Sequence, residues 1–315
     1  MNVLVTSASR KVALVRTFRA ALAREGGGRV IAGDTSPLSA ALYEADAGVL
    51  LPRSDDAAFL PAVVDLCREH DVQLIVPTRD QELPVFAASQ PVFAAAGVLV
   101  MVASSETVRR CQDKAAFLDF CVANGFSVPR RLDRREALDA LPVFARPRTG
   151  SSGAGAMKVS SAAELDALGT DTIVQELVAA QEYTVDLFAD LSGRIISVVP
   201  RERVRVVAGE SYVSRTVRVP ALVDEASRLA AGLGLVGHNT IQCFFDGTSP
   251  LFIEVNPRYG GAAQLGFEAG AVTPWFLVRL ALGRPVAPCI GAFQEGLVML
   301  RYTQDVFKRE TELLS

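Results

Sequence analysis

The sequence predicts an α/β unit followed by an α+β unit, and three observations carry that prediction. Short β-branched runs alternate with helical patterns over the first hundred residues, the texture changes after Ala103, and beyond Val143 strands come mostly as hairpins. In the first part, residues 3–5, 30–32, 49–51, 74–76 and 98–102 read as buried strands. Between them Leu14, Phe18 and Leu22 recur at helical spacing, as do Phe59, Val63 and Leu66-Cys67. Parallel strands need such crossovers, so a small doubly wound sheet with helices on both faces is expected. Ser104, Ser105 and Glu106 then open a helix, and a second over 113–124 stops at Asn124-Gly125. Residues 143–146 and 156–159 read as strands flanking a Gly/Ser loop, and Ser161 with Glu164 forms a capping box. Strands follow at 173–177, 183–189 and 195–199, the last two joined by the turn Asp190-Leu191-Ser192-Gly193. A helix over 220–233 is closed by Gly234, another opens at Thr273-Pro274 and is closed by Gly283, and 307–310 reads as helix.

Composition narrows the function. Half of the 315 residues are hydrophobic and the net charge is 32 − 35 = −3, which argues against a protein that coats nucleic acid or an anionic membrane. The longest apolar run, 92–103, contains Gly97 and falls short of the ~18–20 residues of a membrane span. The N-terminal run is too brief for a signal peptide, so a cytoplasmic protein is expected. Five cysteines without a Cys-x-x-Cys pair, and only two histidines, disfavour zinc and disulfides. Any metal should be magnesium or manganese, held by carboxylate and amide oxygens.

The segment 239–258 concentrates the chemistry. Residues 241–245 and 251–255 alternate as two strands around a turn over 246–250. A hairpin symmetric about Thr248 and free of a bulge sets Phe245 opposite Leu251, Gln242 opposite Glu254 and Thr240 opposite Asn256. Gln242, Glu254 and Asn256 then project from one face and form an incomplete hard-cation site, to be completed by phosphate oxygens and water. Arg258 follows Pro257 and sets a permanent cation beside them. A solvated strand face is the plainer reading, but it must explain why the flanks are apolar. In the stretch from Phe144 to Gly155, small residues free backbone amides for phosphate oxygens while Arg146 and Arg148 supply charge. It is not a P-loop, since no Lys-Ser/Thr follows and it lies between strands; an ordinary hairpin loop is the alternative.

The order Gln112-Asp113-Lys114, Ala145-Arg146-Pro147 with its Gly/Ser loop, Val174-Gln175-Glu176-Leu177, Glu182-Tyr183-Thr184-Val185-Asp186, Gln242 and Glu254-Val255-Asn256-Pro257-Arg258 resembles an ATP-grasp enzyme. The resemblance is to the branch similar to the large subunit of carbamoyl phosphate synthase, and it spans nearly the whole chain. It implies a Rossmann-like pre-ATP-grasp domain (1–103), a small lid subdomain with linker (104–178) and a larger antiparallel-sheet subdomain (179–315). By this resemblance Lys114 and Arg146 contact the nucleotide phosphates, Arg146 standing where most members have Lys, and Gly150, Ser151, Ser152 and Gly153 close over them. Gln175, Glu176 and Leu177 would form the adenine hinge, Glu182 would take the ribose, and Glu254 and Asn256 would hold Mg2+ or Mn2+ with Gln242 in support. Arg258, with Lys114 and Arg146, would stabilise charge as ATP phosphorylates a carboxylate to an acyl phosphate that an amine then attacks.

Arg201, Arg203 and Arg205 share one strand face, with Arg215 and Arg218 close behind. A salt-bridged edge is one reading; bidentate grip on a carboxylate or acyl phosphate by Arg201 and Arg203 is the other. Only one ATP-grasp half fits this length, and Ala208-Gly209-Glu210-Ser211 stands where a His-Thr-Gly-Asp-Ser type stretch would be. A carboxylate–amine or carboxylate–thiol ligase is therefore preferred over phosphorylation of bicarbonate or carbamate, and over a non-catalytic nucleotide binder. The implied partners are a small carboxylate, expected to be an amino acid or a similar metabolite, and an amine, with a homodimer left open. A nicotinamide enzyme with Asp34 on a ribose is disfavoured, because Thr6-Ser7-Ala8-Ser9-Arg10 lacks the glycine fingerprint. Asp34, Asp80 and Glu82 stand at strand ends, where they could recognise an amine or cap helices, the latter being preferred.

Overall fold

A computed structural model of the chain describes residues 1–150 and 153–314. Strands β1 (Asn2–Thr6), β2 (Val30–Asp34), β3 (Ala47–Leu50), β4 (Val72–Pro77) and β5 (Leu99–Val100) form a parallel sheet of order β3-β2-β1-β4-β5. Alternation splits its side chains between two cores. Val3 and Val5 pack with Leu14, Phe18 and Leu22 on one face, while Leu4, Ile31 and Ile75 pack with Phe59, Val63 and Phe86 on the other. The winding direction reverses between β1 and β4, which opens a crevice at their C-terminal ends. The expected strand over 98–102 contracts to Leu99–Val100, because Ser104 already caps the next helix, Ser105–Gln112, by accepting from the Thr107 amide.

A small sheet of order β7-β6-β8 follows, built from β6 (Val143–Pro147), β7 (Met157–Val159) and β8 (Thr172–Glu176). Its core is small, centred on Val143, Ala145, Val159 and Leu165.

The larger antiparallel sheet has order β13-β12-β9-β10-β11-β14. Its strands are β9 (Gln181–Ala189), β10 (Ile195–Val207), β11 (Glu210–Thr216), β12 (Gly237–Phe245), β13 (Pro250–Asn256) and β14 (Val298–Leu300). The helix Pro220–Leu233 backs it and ends where Gly234 turns left-handed at φ 67°. The helices Ser105–Gln112 and Lys114–Ala123 pack on this sheet too, with Cys111, Phe117, Leu118 and Cys121 in one core with Val185, Leu187 and Ile241 of the sheet and Leu229 of the helix Pro220–Leu233. Residues 307–310 are not a helix; only a 3-10 turn, Glu310–Glu312, forms there, and Phe307 is 87% exposed with no face to bury against.

Two contacts fix the first domain to the large sheet. The helix Val12–Arg24 packs on the helix Thr273–Ala281 within one continuous core, where Phe18 meets Tyr259 edge-on at 5.9 Å. Beside them Glu25 accepts from Trp275 Nε1 at 2.6 Å and from Arg279 and Arg284.

Candidate active site

The register across four strands builds one wall of the site. Arg201 on β10 pairs with Thr184 on β9, Thr184 with Gln242 on β12, and Gln242 with Glu254 on β13. Neighbouring strands lie ~4.8 Å apart, so a guanidinium, a hydroxyl, an amide and a carboxylate stand abreast. A second row, Asp186–Thr240–Asn256, lies two residues along. The hairpin is not free of irregularity: Phe245 faces Pro250 instead of Leu251, and a bulge between the Gln242 and Cys243 pairs inserts Ile253. The extra residue restores Gln242–Glu254 pairing, and its carbonyl accepts from Arg146 Nη2 at 3.1 Å.

Oxygens converge at the top of this wall. Asn256 Nδ2 lies 3.1 Å from Glu254 Oε1 and 3.5 Å from Gln242 Oε1. Gln242 Nε2 donates to Glu182 Oε1 at 2.9 Å, and Arg203 pairs with the same oxygen at 3.0 Å. Glu182 is thus engaged by two protein partners. Among the described residues no group of three His, Cys, Asp or Glu side chains could hold a metal alone. Glu254 and Gln242 offer oxygens of the kind a hard divalent ion takes alongside phosphate and water, whereas Asn256 turns its Nδ2 to them and its Oδ1 to Arg258, so it would have to turn over its amide to join as a ligand.

The cations line the same cleft, which has a volume of about 780 Å³ and reaches from Ser7 and Lys11 to Leu177 and Val178. Lys114 Nζ donates to Gly150 O at 2.6 Å. Burial pushes the Lys114 ammonium below its usual range, an effect that Glu254 opposes. Arg146 is buried, and its Nε has no partner among the described residues, leaving a donor to spare. Arg258 is held bidentately by Asp80 at 2.7 and 2.6 Å and also reaches Asn256 Oδ1 at 3.1 Å. Asp80 thus belongs to the site, not to a helix cap. The side chain of Gln175 donates to Pro129 O at 2.9 Å, and Gln175, Glu176, Leu177 and Val178 all line the cleft.

Several sequence expectations end elsewhere. Arg148 pairs with Asp113, which caps the helix Lys114–Ala123, at 2.8 and 2.6 Å and does not line the cleft. A register shift between Arg203 and Arg205 removes Arg205 from the face of Arg201 and Arg203, and Val206 lines the cleft in its place. Gly150 and Gly153 border the cleft, at φ 105° and 69°, whereas Ser151 and Ser152 lie outside the described residues. Glu82 is buried and accepts from the Thr78 and Arg79 amides at 2.6 and 3.0 Å, a capping role as expected. Asp34 accepts from the Ser9 and Ser36 amides and pins the loop after β1.

One group escaped the sequence reading. Asp186 sits beneath the cleft with its Oδ2 2.8 Å from Arg201 Nε, both side chains 3% exposed. Its phase on β9, two residues from Thr184, was the available signal. Gly260 touches the same layer: a Cβ there would lie 2.6 Å from Thr240 Oγ1, which reaches Arg258 O at 3.3 Å and Asp186 Oδ1 at 3.5 Å. Gly260→Ala is expected to cost about 1–3 kcal/mol of stability by overpacking, read by urea unfolding. Among the described residues no cysteine presents an activated thiol; burial pushes Cys243, next to Gln242, up to about 12.

Family models match both parts of the chain: "PylC-like, N-terminal domain" over residues 3–101, and "ATP-grasp in the biosynthetic pathway with Ter operon" over 169–304. The carbamoyl phosphate synthase large chain of Thermoplasma volcanium is 25% identical over 251 residues, 70% of this chain and 24% of that one. This chain therefore spans about a quarter of that relative's length. Among solved structures, Campylobacter jejuni biotin carboxylase in complex with β,γ-ATP superposes with TM-score 0.76 at 16% identity, covering 94% of this chain and 74% of that one. An ADP complex of N5-carboxyaminoimidazole ribonucleotide synthetase superposes with TM-score 0.70 at 16% identity, covering 91% and 78%. Residues 3–101 hold the parallel sheet and residues 169–304 the large antiparallel sheet, so the chain joins a PylC-like N-terminal domain to an ATP-grasp domain, in a fold shared with these solved structures.

Proposed function

We propose that the protein is an ATP-dependent ligase that activates a small carboxylate as an acyl phosphate and joins it to an amine, releasing ADP and phosphate. The observation that carries this reading is the convergence of Glu254, Gln242 and Asn256 with Lys114, Arg146 and Arg258 on one cleft. Lys114 and the free Nε of Arg146 would bind phosphate oxygens, and the loop bearing Gly150 and Gly153 would cover them. Glu176, Leu177 and Val178 would border the base, with Glu182 toward the sugar. Glu254, Gln242 and Asn256 would hold a divalent ion, which when bound neutralises charge on the phosphates.

The carboxylate would lie against Arg201 and Arg203. Asp186 keeps the Arg201 guanidinium fixed through Nε, and Ser211 Oγ receives Nη1 at 3.2 Å, so the charge is positioned before substrate arrives. A carboxylate oxygen attacks the γ-phosphorus, an O–P bond forms, and the bond to the bridging oxygen breaks as ADP leaves. The amine nitrogen then attacks the acyl carbon, the C–N bond forms, phosphate departs with the C–O electron pair, and the ammonium proton passes to solvent. Neither step asks for a protein nucleophile.

Incubation with ATP, Mg2+ and pools of carboxylates and amines tests this reading. ADP release that requires both pools is expected. Release with bicarbonate and ammonia alone would favour the chemistry named for the curated relative, and binding of ATP without release under any pool would overturn the ligase reading.

A further inference from the structure

A second cavity of about 340 Å³ abuts the main cleft and shares Ser7, Asp34, Thr35, Arg79 and Gln81 with it. Its remaining lining, Leu51, Pro52, Arg53, Ser54, Asp55 and Phe59, follows β3, so it extends along the C-terminal edge of the parallel sheet from the switch point between β1 and β4, where open α/β sheets take ligands. Ammonia, close in size to a water molecule at about 30 Å³, would leave most of this space empty.

The polar inventory of this corner is unbalanced. Lys11 lines the cleft, and among the described residues its Nζ has one partner, Ser7 O at 3.2 Å, and no carboxylate within ion-pair distance. An ammonium carries three donors, so two remain. Arg79 gives Nε to Gln81 Oε1 at 3.0 Å and has no ion pair among the described residues. The nearby carboxylates are engaged: Asp80 holds Arg258, Asp34 takes two amides, Glu82 takes Ser7 Oγ and two amides, and Asp55 pairs bidentately with Arg53 in the side cavity itself. Burial, with Arg258 nearby, pushes the Lys11 ammonium down, against the pull of Glu82 and Asp34, and an incoming anion would relieve that cost. Ser7 and Ser9 are held left-handed at φ 48° and 45°, a strain for non-glycine residues that gathers at binding loops.

We propose that Lys11 and Arg79 bind an anionic group, a carboxylate in the first instance, on the acceptor amine, so that the acceptor is an amino-acid-like molecule seated in the cleft where the side cavity joins it, with its anion between Lys11 on the cleft side and Arg79, which lines both spaces. This rests on the ligase reading, and the test separates the two. Hydroxylamine traps an acyl phosphate as a hydroxamate and needs no anchor, so hydroxamate formation reports on activation alone. With a carboxylate donor fixed, wild-type protein should use members of a pool of the common L-amino acids at least about tenfold more efficiently than ammonium or the matching decarboxylated amines. Lys11→Met combined with Arg79→Gln should raise the amino-acid KM at least about tenfold and change the hydroxylamine rate far less, and Lys11→Arg should rescue. Equal use of ammonium and amino acids by wild type, or an unchanged amino-acid KM in the double variant, would overturn the proposal. If no hydroxamate forms at all, the ligase reading fails. Ligand-detected NMR of the same amino-acid pool against MgADP-loaded protein then decides alone: binding lost in the double variant supports the subsite, and absent or equal binding removes it.

Discussion

Glu254→Gln is expected to lower ADP release by about a thousandfold or more, equivalent to about 4 kcal/mol of transition-state stabilisation. Glu254 is the one carboxylate in the set of Glu254, Gln242 and Asn256, so the substitution removes the only formal negative charge these residues offer a divalent ion. The amide keeps the size and the hydrogen-bonding reach of the side chain, and its register partner Gln242 is unaffected. Stability by urea unfolding should therefore move by less than about 1 kcal/mol. Near-normal ADP release by a folded variant would count heavily against the metal assignment.

The second large effect concerns stability. Asp186→Ala strands the Arg201 guanidinium, whose side chain is 3% exposed, without its counter-charge, a defect worth about 3–5 kcal/mol. The double change Asp186→Ala with Arg201→Met should recover much of that loss, because no unpaired charge then stays buried. The pair also sets a pH dependence. Burial alone would raise the Asp186 carboxyl, but Arg201 and His238 hold it down to about 2. An unfolded Asp titrates near 3.9, so the folded-state pKa is the lower one. The contribution is therefore complete above about pH 4 and lost as pH falls toward 2, with a size of about 2–3 kcal/mol. The stability gap between wild type and Asp186→Asn should shrink across that window in urea titrations; a gap constant from pH 5 to 2 would reject the assignment.

The local elements were largely legible. Helix stops at Asn124-Gly125 and Gly234, caps at Ser104 and Ser161, and the β-branched runs of β1, β2 and β4 carry their signals within a few residues. The pairing of Gln242 with Glu254 was legible by symmetry even though its premise was not: the turn is centred half a residue earlier, and the Ile253 bulge adds the residue back. A bulge leaves composition and alternation nearly unchanged, so nothing in the sequence announced this one or the shift that separates Arg205 from Arg203. Arg148 looked like a second phosphate cation because its neighbours are loop residues; the competing partner, Asp113, is 35 positions away.

The sequence by itself determined most of the strands and longer helices and that Gln242, Glu254 and Asn256 share a face, because those facts follow from periods of two and 3.6 residues along a few turns of backbone. Only the tertiary structure decided what each charge is paired with. Asp80 meets Arg258 across 178 positions, Arg146 meets Ile253 across 107, and Asp186 meets Arg201 across a strand pairing. Such contacts are fixed by how two packed cores meet, a distance set by the whole fold, on which no local pattern of side chains bears.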